Sequence, residues 1–524
     1  MNGSISSLLA NPFIAAILVY LLVLVGVGVY KGRGVKNSAD FMVAGRTLPW
    51  WVLVGTLLAT WIGNGSLFGG AGLGYRNGMA ALWYSGGAWL GIMMVYFIAK
   101  RVRNFAKVTV PDIFEARYGT VAGILATIIT VVAYLTIVSY QFRGGGRVLS
   151  IVSEGGISVE AGIVITAVFA ITYTILAGMV SVVYTDVVNG VIMIFGVIIA
   201  LFFMVAAVGG LPEVVAAAEA AGKWSVFGNW ANERGSGGSG PLIAISFLVP
   251  TMLLLMGDAN VYQRIFSAQD GGTARKAVLF WVVGVIFLES GVAFLGLTGS
   301  VAASQGLLPE LFVGGMANTT ENLSENVIPE IALGAVPIWV GMTLVATMMA
   351  IIVSTADSFL LVPATNLTRD VYQRFMAPDA PERRVVFISR ALVLFLGLVA
   401  YLLVDQFPTI LAAAYTAYLV YGSGITPALL AAFLWKRATT AGAISSVLSG
   451  AGVTLLWTFF LSNQPYFGTW PPFLQEVTYP AVFFSVTSLI VVSLLTPRPP
   501  KEAWEPFFRD DPLPLEADLG IDVR

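Results

Sequence analysis

The sequence predicts an all-α, polytopic membrane protein of about thirteen transmembrane helices, and three observations predict it. The 524-residue chain is 57% hydrophobic and only 11% charged, too apolar and too long for one soluble core. Apolar runs of about 20 residues, the length that crosses a bilayer, recur from one end to the other. Lys and Arg fall on one side of these runs, as cytoplasmic loops require. A net charge of -1 offers no footprint for nucleic acid. The sequence contains no His and no Cys, which excludes disulfides, thiol chemistry, haem or zinc sites built on those residues, and histidine proton relays.

Taken in order, the runs are 11–30, 48–74, 78–100, 121–149, 158–178, 182–209, 240–263, 277–302, 332–361, 385–404, 407–435, 439–461 and 480–497. The first has no charged leader and no small-residue cleavage pattern, so it reads as a retained helix rather than a signal peptide. With residue 1 outside, every Lys and Arg lies inside except Arg76, Arg143, Arg147, Lys223 and Arg234. The outer segment 303–331 carries Glu310, Glu321, Glu325 and Glu330 and no basic residue. The expected topology in the plasma membrane is therefore N-terminus outside and C-terminus cytoplasmic. Between the sixth and seventh runs, Leu211 to Gly222 reads as a short surface helix and Gly235 to Gly240 as a flexible connector. The acceptor-like Asn318-Thr319-Thr320 and Asn322-Leu323-Ser324 carry no weight in a chain this long. Residues 1–497 form one transmembrane domain. Residues 498–524, with Pro499, Pro500, Pro512 and Pro514 among mixed charges, read as a disordered cytoplasmic tail.

Two runs are interrupted near their middle. The second contains Gly63-Asn64-Gly65-Ser66, and the seventh contains Gly257-Asp258-Ala259-Asn260. They stand five runs apart, the spacing of two inverted five-helix repeats at about 48–209 and 240–435, and paired breaks of this kind mark a transporter's binding site. Membrane helices are also Gly-rich for packing alone, but a polar residue sits beside each Gly here. Unwound backbone frees carbonyls that can ligate a cation, and a hard ion such as sodium prefers oxygen. Hydroxyls are available in the ninth run, at Ser354, Thr355 and Ser358, where Ser354, Asp357 and Ser358 share one helix face. Helical Ser and Thr also bond their own i-4 carbonyls. Asp357 needs a cation or a proton, because a buried carboxylate is costly without one. Asp186 in the sixth run is a second buried acid, or an interface residue near a helix start.

Five segments resemble the sodium/solute symporter family, in order and between the right runs. They are Ser38 to Arg46, Thr109 to Gly119, Tyr184-Thr185-Asp186, Tyr262 to Ala268, and Ser354-Thr355 through Thr368 to Tyr372. The resemblance covers about residues 30 to 440. It implies the leucine-transporter-type 5+5 inverted repeat, with one helix before and two after, and Na+-coupled symport of a small organic solute by alternating access. It implies transport and not an enzyme. The family's sodium site maps onto the side chains of Ser354 and Thr355 with backbone oxygens of Ile62, Gly65 and Ile351. A second sodium site, found in some members, maps onto Asp186, Ser354, Asp357 and Ser358, although Asp357 stands where a hydroxyl is expected.

For the solute, the second run offers Asn64 and Ser66, and the fourth offers Gln141 and Arg143. An intramembrane Arg is a bidentate partner for a carboxylate, which favours an amino acid or a monocarboxylate. Arg143 can equally snorkel outward or pair with Asp357 or Asp258. The apolar Leu254-Leu255-Met256, where sugar carriers of the family tend to place an aromatic gate, leans against a sugar. Trp83, Tyr84, Tyr418 and Tyr421 line the cavity or serve packing. Two alternatives stay open: a proton-coupled symporter using Asp357 or Asp186, and a sodium-coupled sugar symporter.

Overall fold

The computed structural model describes residues 10–32, 42–105, 107, 109–228, 230, 240–308 and 321–509. The start of the first family-like segment, the connector 235–239, the acceptor-like triplet at 318 and the tail from 510 lie outside the described residues. Within them the regular structure is helical, apart from an isolated bridge between Leu48 and Ala268.

Eleven helices of the described residues are long and apolar enough to cross a membrane, and two further apolar helices are Pro12–Gly32 and the shorter Trp50–Trp61. All of them lie on the thirteen predicted runs. One difference in the count has a local reason: the second run breaks after Trp61, and its second half continues through a turn at Gly78 into the third, giving one helical stretch Gly65–Asn104 of 40 residues. Gly78 has φ +61° and Gly178, which divides Val159–Ala207 into the fifth and sixth spans, has φ +63°. Both conformations suit glycine.

Lipid supplies no hydrophobic force between helices, so small residues bring backbones together. A Cβ on Gly87 or Gly91 of the third span would run into the backbone of Leu248 to Met252 in the seventh. Gly74 and Gly296 face each other's helices in the same way, across the second and eighth spans. Pro250 sits inside Gly240–Gly257 and cannot donate to the Ser246 carbonyl. Thr478 Oγ1 donates to that carbonyl instead, at 3.2 Å. The expected surface helix forms at Leu211–Ala220, with Val214 and Ala218 buried.

The tail departs from expectation as far as it is described. Lys501–Trp504 and Glu505–Phe508 form short helices. Phe507 is 1% exposed, with its ring 4.2 Å from that of Phe105 and 5.4 Å from that of Phe433. Proline and charge made this stretch look coreless, but two aromatics flanking the charges are enough to dock it.

The glycine seams give a paired test. Gly87→Ala should lower the thermal midpoint in detergent by several degrees, because overpacking costs about 1–3 kcal/mol. The adjacent Gly86, with nothing within 4 Å of its Cβ position, should tolerate Ala or gain slightly from the better helix former. Equal midpoints for the two variants would contradict the seam.

Candidate functional site

The site is built on broken helices. Helix Trp50–Trp61 ends where Ile62 turns extended (φ -72°, ψ 105°), so its last carbonyls lose their intrahelical donors. Hydroxyls of the ninth span, Ile338–Asn366, stand opposite. Ser354 Oγ lies 3.1 Å from the Ala59 carbonyl, and 2.7 and 3.2 Å from those of Ala350 and Ile351. Thr355 Oγ1 donates to the Ile62 carbonyl at 3.0 Å. The back-bonded and the inter-helix readings of Ser354 therefore hold together. Neutral oxygens from Ala59, Ile62, Ile351, Ser354 and Thr355 gather where the second and ninth spans meet.

Gly65 is not among them. It opens the π-helical turn Gly65–Gly70, and its carbonyl stays within that turn, 3.9 Å from the Cβ position of Gly70. The carbonyls a break frees are those at the C-terminal end of the first half-helix, so Ala59 stands in the place expected for Gly65.

The seventh span is built alike. Helix Gly240–Gly257 ends, Asp258 takes φ -56° and ψ 116°, and helix Ala259–Phe266 follows. Thr426 Oγ1 donates to the Leu253 carbonyl at 2.6 Å, Tyr262 Oη to Met256 at 3.1 Å and Tyr421 Oη to Gly257 at 2.8 Å. The Asp258 carboxylate accepts from the backbone N–H groups of Asn260 and Val261 at 2.7 and 3.2 Å, and from Tyr134 Oη of the fourth span at 2.9 Å. Asp258 is thus a helix cap. The eleventh span, through Tyr421 and Thr426, thus gives the seventh-span carbonyls what the ninth gives those of the second, and the fourth span adds Tyr134 at the Asp258 carboxylate.

The second predicted cluster holds a cation of its own. Arg264, 1% exposed, donates from Nη2 to Asp186 Oδ2 at 3.1 Å and to Ser358 Oγ at 2.7 Å, and from Nε to Thr56 Oγ1 at 2.9 Å. Thr56 Oγ1 in turn donates to Asp186 Oδ2 at 2.6 Å. Asp357 accepts from Ser358 Oγ at 3.3 Å and faces Asp186 and Arg264 electrostatically. The structure therefore brings Asp186, Asp357 and Ser358 together, while Ser354 belongs with Ala59. The guanidinium pairs with Asp186, and Asp357 stands next to this buried pair through Ser358, which bonds both Arg264 and Asp357. The inside-positive tally places Arg264 in an inner loop; the helix after the break instead carries it into the bundle.

The predicted solute residues divide. Asn64 Nδ2 donates to the carbonyls of Tyr140 and Gln141 at 3.1 and 3.2 Å, and its backbone N–H donates to Gln141 Oε1 at 3.2 Å. Ser66 Oγ donates to Glu289 Oε1 at 3.2 Å, and Trp61 Nε1 to the same oxygen at 2.9 Å. Arg143 does not join them. It donates to the carbonyls of Phe407 and Pro408, near Arg147, which pairs with Glu325 at 2.7 Å. This is the outward-snorkelling alternative. Several fully buried polar atoms near the breaks have no hydrogen-bond partner: Asn64 Oδ1, Gln141 Nε2, Glu289 Oε2 and both side-chain atoms of Asn260. Unmet buried valences of this kind call for a water, an ion or a ligand. Ala59, Thr56, Arg264 and Glu289 join the site without being in the sequence-based set.

Known proteins resemble this chain along nearly all of it. The sodium:solute symporter family pattern matches residues 41–450. The sodium/proline symporter of Salmonella typhimurium is 25% identical over 516 residues, covering 96% of this chain and 97% of that protein. The sodium/glucose cotransporter of Vibrio parahaemolyticus is 26% identical, covering 91% and 89%. A solved Na+-coupled sialic acid symporter, in a substrate-bound outward-open state, superposes with a TM-score of 0.77 at 17% identity over 93% of this chain and 98% of that one. That likeness establishes the leucine-transporter-type fold. With the family pattern spanning both broken helices and the hydroxyl pair of the ninth span, the chain belongs to the sodium:solute symporter family.

Proposed function

We propose that this protein carries a small organic solute into the cell with sodium, by alternating access, with its N-terminus outside and its C-terminus in the cytoplasm. The observation that carries the reading is the oxygen cluster of Ala59, Ile62, Ile351, Ser354 and Thr355, which joins the break of the second span to the ninth. Its donors are neutral oxygens, the set a hard monovalent cation takes. Sodium there replaces hydroxyl-to-carbonyl bonds with ion-to-oxygen bonds and ties the two repeats together. Coupling follows if the tied arrangement is also the one that binds solute, since sodium and solute then raise each other's affinity by the same factor.

Arg264 supplies the positive charge at Asp186 that a second sodium would otherwise bring, so we assign one sodium per cycle. One negative charge is left over between Asp186 and Asp357. That surplus favours, as a second reading, a proton carried at Asp357 alongside the sodium.

Three measurements bear on this. Binding of radioactive sodium to the purified protein should be half-saturated at a concentration about tenfold higher or more in Ser354→Ala/Thr355→Ala, and sodium-dependent thermal stabilisation should fall with it. Sodium binding unchanged in the double variant would remove the assignment. Sodium saturation should follow a Hill coefficient near one, and Asp357→Asn should leave it so; a proton gradient that adds to sodium-driven uptake in the wild type and not in Asp357→Asn favours the second reading. Arg264→Met should destabilise by about 3–5 kcal/mol, because it leaves carboxylates buried without their cation. Arg264→Met/Asp186→Asn should recover a good part of that loss in the thermal midpoint, and no recovery would mean that Arg264 is held by packing and not by charge.

A further inference from the structure

Glu289 lies halfway along the unbroken helix Gly271–Ser304 and is 2% exposed. No basic side chain pairs with it among the described residues. Its Oε1 accepts from Trp61 Nε1 and Ser66 Oγ, which flank the break of the second span. Its Oε2 has no partner at hydrogen-bond geometry, and the indole N–H of Trp89, likewise unpartnered, is the donor standing near the carboxyl. Aromatic rings surround the carboxyl: Trp89 stands beside it, Tyr84 and Tyr418 lie within its electrostatic reach, and Trp61 packs against Tyr418 with ring centroids 6.1 Å apart. The phenol oxygens of Tyr418 and Tyr84 come within 2.5 and 3.1 Å of the Cβ position of Gly65, so that glycine is what lets the rings close over the break.

A membrane-buried carboxylate without a fixed counter-ion is costly, and electron-rich ring faces add attraction for a cation. Fixed cations that might serve it are committed elsewhere. Arg264 is held by Asp186, Thr56 and Ser358, and Arg143 is held at the carbonyls of Phe407 and Pro408. The latter also takes from the solute site the one group that would have recognised a carboxylate.

We propose that Glu289 is the solute-binding carboxylate and that the solute carries a protonated amine. An ammonium N–H donates to Oε2, while Trp61 and Ser66 hold Oε1 and so fix the direction of the free lone pairs. The rings of Trp61, Trp89, Tyr84 and Tyr418 cover the remaining faces of the cation. This rests on the transport reading above and names the solute class for that same site.

The test uses purified full-length protein and defined probes: ethylamine, putrescine and proline as amines, lactate as a monocarboxylate, glucose as a neutral solute. In sodium, at least one amine should raise the thermal midpoint of the wild type, while lactate and glucose should not. Glu289→Gln should weaken that amine at least tenfold and leave the stabilisation by sodium alone unchanged. Stabilisation by sodium without any solute reports on the ion seat separately. If sodium stabilises and no amine does, only the Glu289 assignment falls; if sodium has no effect, the transport reading falls first. Should Glu289→Gln fail to fold, labelling of the wild type with dicyclohexylcarbodiimide, mapped by mass spectrometry, replaces it. Glu289 should be protected by the binding amine and not by lactate. Equal labelling with and without each amine, or stabilisation by lactate or glucose that Glu289→Gln leaves intact, would overturn the proposal.

Discussion

Unsatisfied backbone in lipid is the constraint on which this structure turns. A carbonyl inside the hydrocarbon layer must find a donor within the protein, and two helices of this bundle stop and restart in the middle of it. Each break is affordable only because another helix presents hydroxyls to it: Ser354 and Thr355 to the second span, Tyr421 and Thr426 to the seventh. The difference between the two sets matters. The seventh-span carbonyls are served by the phenols of Tyr262 and Tyr421 and by Thr426, while Asp258 accepts from two backbone N–H groups and so caps the helix that follows. The second-span carbonyls are served by a small Ser and Thr that an ion can draw away at little cost. The same architectural need thus gives a closed joint on one side and an exchangeable one on the other.

Charge follows the same economy. Asp258 accepts from local donors alone, Asp186 is paired with Arg264, and Glu289 accepts from Trp61 and Ser66 at one oxygen only. The three buried acids therefore differ by what stands opposite each one rather than by their own chemistry. Asp357, bonded to Ser358, stands near a guanidinium that is already engaged by Asp186.

Much of this was legible in the chain. Apolar runs and the distribution of Lys and Arg give the helical bundle, and the paired Gly-polar interruptions give the breaks at Ile62 and Asp258. Ser354 and Thr355 are legible through their setting, adjacent hydroxyls in an apolar span that accompanies paired breaks, since helical Ser and Thr otherwise bond their own i-4 carbonyls. Arg264 is not legible in this way. Its distance from the bundle axis depends on how helix Ala259–Phe266 tilts after the break, and sequence spacing carries no such angle. The exchange of Ala59 for Gly65 has a similar cause, since which carbonyls are freed depends on where the next turn begins its own hydrogen bonding. Glu289 differs from both. It is the only acid between Gly271 and Ser304 and stands out by polarity alone, but reading for broken spans passes over an intact one.

Phe507 lies between the rings of Phe105, at the end of the third span, and Phe433, near the end of the eleventh. Separating these two spans at this end exposes the Phe507 ring, at about 1.5–3 kcal/mol. The last described segment is thus a clasp between the third and eleventh spans, which Lys436 over the rings of Trp504 and Phe508 reinforces.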